Sequence, residues 1–321
     1  MADSSNIWIM GQRQEQVPRP NQPCLLQRMP VMPFQPYGAA DVVDFLGQRF
    51  ERAPTDARIA SLVPSLTETL VDLGLAPQLI ARTGFCIHPA AAVRAIPKVG
   101  GTKDVNLARL RDLAPTHALV NVDENTRETV EQLREFVPHV IVTHPQQPDD
   151  NLALFSLLGA LFSATAGVQE RARGLHARLC NALHAIRCRS WPQRRVLYVI
   201  WREPWMTVAR DTYIAHTLAE VGWQTLPDVV GGDGLRCAGA PRYPVFDWDA
   251  PWVGDVDLVL LASEPYRFGP VHAEATRSLL EARGWDAAVR LINGEWASWY
   301  GSRALRSLPQ LAQLATALSL A

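Results

Sequence analysis

The chain has 321 residues, of which 48% are apolar and 20% charged, and its 31 basic against 32 acidic side chains give a formal net charge of -1. That balance belongs to a globular chain with material for two domain cores; it excludes a fibrous or largely disordered protein, and the near-zero charge offers no attraction to nucleic acid. Five cysteines, Cys24, Cys86, Cys180, Cys188 and Cys237, are odd in number and form no CxxC pair, so they read as reduced thiols and not as a disulfide framework or a zinc knuckle.

Residues 1–38 are rich in Pro, Gln and Arg without helical or strand periodicity and read as a disordered extension. No basic start followed by an apolar run occurs there, so as written the chain is expected in the cytoplasm; a periplasmic location follows if the true N-terminus lies upstream. An N-terminal α/β lobe is expected over 39–150. In it, VVDFLGQRFERA predicts a hairpin turning at Leu46-Gly47-Gln48, and Arg58 to Val63 a strand. SLTETLVDLGL predicts a helix capped by Ser65, with Glu68 at capping-box spacing and Gly74 at its end. HALVN (117–121), a helix from Asn125 to about Phe136 and VIVTH (140–144) then make a parallel β-α-β unit, which defines a Rossmann-like lobe.

Connecting helices are expected over 151–190. The uncharged run Asn151 to Val168 falls short of the ~20 apolar residues that cross a bilayer and reads as a buried helix. From Gly167 to Cys188 the apolar residues Val168, Ala172, Leu175, Leu179, Ala182 and Ile186 recur every three or four positions, predicting one helix about 33 Å long. A C-terminal α/β lobe over 191–321 repeats the first plan, with strands at 195–200, 257–263 and 289–293 and helices over Thr212 to Val221 and His272 to Arg283. The expected fold is α/β: two Rossmann-like lobes joined by one long helix, with a ligand cleft between them that the stiff crossing leaves largely pre-formed.

The segments RIASLVPSLTETLVDLGL, IPKVGGTKDVNLARLRDLAPTHALV and VLYVIWREPWMTVARDTYIAHTLAEVGW carry a family likeness in their order and spacing. S-x-x-P-S-x-T-E, then N-L-x-x-L-x-x-L-x-P-T-H, then one long helix and a second lobe resemble the helical-backbone (class III) substrate-binding proteins that deliver cobalamin and iron-siderophores to ABC importers. The likeness covers about Val42 to Ala321 and is greatest to the cobalamin-binding type. It implies a monomeric binding protein, not an enzyme, that holds a corrinoid, with haem or an iron-siderophore next, as ligand and needs no other cofactor. An importer permease is the implied partner, without nucleic acid or a membrane span. Where the cobalamin-binding type has aromatic side chains this chain has Thr102 and Asn121. For the acidic importer contacts it offers Glu124 or Glu128 in the first lobe, while Ser298 stands at the position in the second.

In open α/β sheets ligands sit beyond the carboxyl ends of the strands, and five loops there are candidates. RTGFCIHP brings Arg82, Phe85, Cys86 and His88; NVDEN brings Asp123 and Glu124; WREPW brings Trp201, Arg202, Glu203 and Trp205. SEPYRF adds Glu264, Tyr266 and Phe268, and GEWASWYGSR adds Glu295, Trp296, Trp299, Tyr300 and Arg303. Rings would cover the apolar faces of a large planar ligand and the Arg and Glu groups its polar edges. Trp201, Trp205, Trp296 and Trp299 are expected to be open to ligand; the competing reading of each is core filling. Cys86 and His88, two apart in an extended segment, could ligate a soft or borderline metal, approached by His144 or Asp123, and His88 alone could serve as axial ligand to a metal in a macrocycle. No second Cys/His pair has the spacing to complete a four-ligand zinc site, so a satisfied His and a buried thiol are the alternative.

The acids of Asp149-Asp150-Asn151 and the pairs Glu124/Glu128 and Glu128/Glu131 read as solvated faces, and VVGGDG (229–234) as a mobile loop or hairpin tip, since it opens no helix after a strand. GxSxG, HExxH and Walker signatures are absent from the sequence. Two other classes stay open: an enzyme working in the same cleft, and a protein-docking adaptor without small ligand, whose tryptophans would be packed shut.

Overall fold

A computed structural model describes residues 42–231 and 241–319, so the extension read at 1–38 and the tip of the glycine-rich 229–234 run lie outside the described residues. The chain divides into two compact units, one running to His144 and resuming over Leu152–Cys180, the other comprising Pro145–Asn151 and the chain from Asn181 onward.

In the first unit, β1 (Val42–Val43) and β2 (Arg49–Phe50) pair antiparallel as the expected hairpin. Its turn is held by the Asp44 carboxylate, which accepts the amides of Leu46 and Gln48, and also that of Val142. The wholly buried β3 (Ile59–Ser61) leads directly into α1 (Pro64–Asp72). Here the capping expectation is corrected. Val63, extended at φ −140°, is the N-cap, and Pro64 takes the first turn, where its missing N–H removes no helical hydrogen bond. Ser65 and Glu68 are buried inside the helix instead. Gly74, at φ +83°, ends the helix as expected.

β4 (Leu79–Arg82), α2 (Ala90–Val93) and α3 (Leu107–Asp112) follow, then β5 (His117–Asn121), α4 (Arg127–Leu133) and β6 (His139–Thr143). The Thr126 hydroxyl caps α4 by accepting the Thr129 amide. The four strands form a parallel sheet in the order β4-β3-β5-β6. Buried on both faces, β5 reads as a continuous run and not as an alternation. At the amino ends of β5 and β6 the rings of His117 and His139 stack at 4.7 Å, and Phe162 packs on His117 at 5.7 Å. Burial, and then the neighbouring His139, lower the His117 pKa to about 4.

α5 (Asp150–Leu161) and α6 (Val168–Arg187) come next, the second being the 20-residue helix that the periodicity predicts. Arg171 near its start donates to the carbonyls of Leu73 and Ala166, fastening it to the end of α1. The helix runs on past Cys180, where the second unit begins.

The second unit repeats the plan with β7 (Arg194–Val199), α7 (Tyr213–Ala219), β8 (Trp223–Thr225), β9 (Leu258–Ala262), α8 (Pro270–Ala282), β10 (Ala288–Ile292), α9 (Glu295–Ser298) and α10 (Ala304–Ser319). Its sheet is also parallel, in the order β10-β9-β7-β8. One core side packs Leu197, Val199, Val259 and Leu261 against Phe246, Trp248 and Phe268. Buried Asn151 ties three segments: its amide donates to the Tyr213 hydroxyl and the Pro148 carbonyl, and its oxygen accepts the Gly301 amide at 2.5 Å. The α/β class with two parallel sheets is therefore as the sequence predicts. Among the described residues no helix is long and apolar enough to cross a membrane.

Candidate functional site

Because all strands in each sheet run parallel, the loops after β4, β5 and β6 gather at one edge of the first lobe, and those after β7, β9 and β10 at one edge of the second. In the first lobe Phe85 is 62% exposed, with Ile87 also exposed beside it. A solvated phenyl ring at a strand's carboxyl end is what a flat apolar ligand needs. Arg82 does not join it. Its guanidinium is buried and donates to the carbonyls of Val93 at 2.8 Å and Thr83 at 3.0 Å, so it fixes the loop and does not face a ligand.

The paired metal-ligand reading of Cys86 and His88 is corrected as well. A turn at residues 84–85 replaces the extended segment, the Cys86 thiol is buried 3.1 Å from the Thr83 hydroxyl, and His88 is half-buried ahead of Pro89. Burial pushes the Cys86 thiol pKa up, which leaves it a poor metal ligand. Among the described residues no group of three or more His, Cys, Asp or Glu side chains could hold a metal ion.

The NVDEN loop is knitted by side chains. Asn121 is buried, its oxygen accepting the Asp123 amide at 2.8 Å, while Asn125 accepts the Asn121 amide and donates to the Thr102 carbonyl. The Asn121 side chain, at a position where the cobalamin-binding type has an aromatic group, is thus committed to the loop's own scaffold, while Thr102 contributes its backbone carbonyl alone. Lys103 donates to the Asp123 carbonyl at 2.7 Å. The Asp123 carboxylate lies 3.3 Å from His144 Nε2, near enough for an ion pair on protonation but not aligned as a hydrogen bond. Asp123 and Glu124 are both half-buried. Lys103 and Asn125 escape the sequence reading because neither motif nor periodicity marks a loop residue that bonds to a distant backbone.

In the second lobe Trp201 is 39% exposed at the carboxyl end of β7 and stands edge-on to Tyr266 at 5.7 Å. Arg202 and Glu203 are exposed and pair at 3.3 Å. Trp205 differs from the expectation: it stacks on Phe268 and meets Trp248 edge-on at 5.4 Å, which makes it core material with one edge open. Trp299 is 8% and Tyr300 4% exposed, so these two also depart from the expected ligand-facing position, while Trp296 is half-buried. Phe268 and Tyr300 pack inward, on Tyr266 and Tyr213 respectively.

The polar part of this lobe is a linked set. The Ser298 hydroxyl donates to Glu264 at 2.8 Å, Arg303 pairs with Glu295 at 3.2 Å, and the Arg303 guanidinium sits 5.0 Å over the Trp299 ring. Burial raises the Glu264 pKa, the Ser298 hydrogen bond opposes this, and the nearby Glu295 adds to it. Gly294 makes the arrangement fit, since a Cβ there would lie 2.5 Å from Glu264 Cγ. A cavity of about 130 Å³ under α4 is bordered by Asn121, Val122 and Asn125 of the NVDEN loop, and a groove of about 660 Å³ runs along α6 and α10; neither is lined by the rings described above.

Each lobe by itself presents open or partly open rings at the carboxyl end of its parallel sheet, Phe85 in the first and Trp201 and Trp296 in the second, features suited to binding. The chain belongs to the periplasmic binding protein family, whose pattern matches residues 59–228. Membership makes it a binding protein and not an enzyme. The fold is similar to that of the periplasmic vitamin B12 binding protein BtuF of Vibrio cholerae, at 18% identity over 81% of this chain and 96% of that one, with a TM-score of 0.65. It is similar to a periplasmic heme binding protein from Pseudomonas aeruginosa at 21% identity, 82% and 92% coverage and a TM-score of 0.64. S. aureus IsdE, solved with heme, matches at 16% identity, 80% and 98% coverage and a TM-score of 0.63. No curated protein sequence matches the chain.

Proposed function

We propose that the chain is a helical-backbone (class III) substrate-binding protein for a bulky metal-bearing macrocycle or chelate, a corrinoid first, haem or an iron-siderophore next. The observation that carries the reading is the open Trp201 ring at the end of a buried parallel strand, together with the exposed Phe85 ring in the loop after β4 of the other lobe. Family membership and the likeness to vitamin B12 and heme binding proteins support it. Arg202, Glu203 and the Glu264–Ser298 pair are the groups that would meet a ligand's polar edge. Delivery to an ABC importer permease would rely on acidic residues such as Glu124 and Glu128 in the first lobe, because Ser298 is engaged with Glu264 and carries no charge.

These ligands are coloured, so the test is direct. Protein mixed with cyanocobalamin, haemin or a ferric siderophore and passed through a desalting column should elute with the absorbance of one of them at unit stoichiometry. Colourless protein after all three mixtures would remove the reading.

A further inference from the structure

α6 carries a second Cys/His arrangement that has no part in the ligand loops. His184 in its last turn and Cys188 just past its end lie one helical turn apart and exposed, the Cys188 amide donating to the His184 carbonyl and Cys188 Sγ lying 3.5 Å from His184 Nε2. A little over two turns before them, His176 Nδ1 lies 3.7 Å from Cys180 Sγ, but there the imidazole is buried. The sequence holds the signal, since four residues apart on a helix is the same face; a reading that seeks pairs two apart does not find it.

We propose that His184 and Cys188 form a two-point chelate for a thiophilic divalent cation, with zinc as the reference ion. The geometry is the first argument. A tetrahedral zinc ion with bonds of about 2.3 Å to sulfur and about 2.05 Å to nitrogen separates the two donor atoms by about 3.6 Å. The observed 3.5 Å to Nε2, with Nδ1 at 3.8 Å, brings the donors within that span, and since the sulfur lies beside the ring, a turn of the imidazole about its Cβ–Cγ bond aims a nitrogen lone pair at the shared ion. Electrostatics is the second argument. Arg187 would repel a cation, but its guanidinium is clamped by Asp149 and Glu220. Arg189, on the other side, stacks on Trp191 at 4.4 Å and donates to Thr316. Both cations flanking Cys188 are thus held by other groups, and both donors are open to solvent. With two protein ligands, the remaining coordination positions belong to water or to a ligand from another molecule, which makes the site exchangeable and not structural. On binding, the Cys188 thiol gives up its proton to solvent and the imidazole binds as the neutral base.

The test uses the full chain, reduced and freed of metal, titrated with Co²⁺ as a spectroscopic probe and then with Zn²⁺. Wild type should develop a thiolate-to-cobalt charge-transfer band that Zn²⁺ bleaches. Cys188→Ser should lose the band, and His184→Ala should keep it with affinity lowered on the order of 100-fold, the usual worth of a second tethered contact. Zn²⁺ should also slow alkylation of Cys188 in wild type and not in His184→Ala. A band that survives in Cys188→Ser, or no band at all, overturns the proposal. Both side chains are exposed at the end of a helix, so the substitutions leave folding intact, and unchanged circular dichroism verifies it.

Discussion

Lowering the pH should destabilise the protein through His117. Its folded pKa of about 4 lies below the ordinary value of 6.5, because the ring is buried and stacked on His139. Above about pH 6.5 the imidazole is neutral in both folded and unfolded chains, and the group contributes nothing. Between about pH 6.5 and pH 4 only the unfolded chain takes up the proton, so stability falls as pH falls. Integrating the linkage relation from about pH 7 to about pH 5 gives a loss of about 2 kcal/mol from this one side chain. Asp44 runs the other way, since burial raises its pKa and its contribution is lost as pH rises through its folded pKa. The comparison must therefore be with a variant that keeps Asp44. His117→Phe preserves a ring for His139 and Phe162 to pack on and removes the titration. Urea denaturation of both proteins at the two pH values should show the wild type losing about 2 kcal/mol more than the variant. Equal losses would refute the claim that His117 stays neutral in the folded state.

Gly294→Ala should lower stability by about 1–3 kcal/mol in thermal melts, because the new methyl meets Glu264 Cγ at 2.5 Å and its backbone at 3.1 Å, and relief requires moving that buried side chain. Trp205→Ala should cost about 3 kcal/mol in chemical denaturation through loss of its packing on Phe268 and Trp248, whereas Trp201→Ala, an open ring, should change stability by less than about 1 kcal/mol. Glu264→Gln should raise the melting temperature at neutral pH. The raised pKa of Glu264 means its charged form is disfavoured in the fold, so stability is lost as pH rises; the variant's advantage should shrink towards acid pH, where the wild-type carboxyl is itself protonated.

The long apolar strands and α6 were legible because burial writes itself into the sequence as runs such as HALVN and as recurrence every three or four residues. Short elements were not: LIAR and WQT, the strands β4 and β8, hold too few residues to show a pattern and owe their form to sheet neighbours. Ser65 illustrates the same limit at a helix end, where the spacing to Glu68 is right for a capping box but the N-cap is Val63, two residues earlier, and Pro64 already starts the helix. At the candidate site the sequence identifies which loops follow strands and which rings they carry. It does not identify which ring faces outward, since Trp201 and Trp205 are four apart in one loop and only the second finds aromatic neighbours from Phe246, Trp248 and Phe268 to pack on. Arg82 shows the polar counterpart: its use by the Val93 carbonyl depends on where α2 turns back.

The central claim is that open aromatic rings at the strand ends hold a metal-bearing macrocycle or chelate. The most direct measurement is a tryptophan-fluorescence titration with cyanocobalamin, haemin and a ferric siderophore, run in parallel on wild type, Trp201→Ala and Phe85→Ala. Saturable quenching by one of the three, with affinity at least about tenfold weaker in each variant and melting temperatures unchanged, is the predicted result. Quenching that is identical in all three proteins, or that no ligand produces, would contradict it.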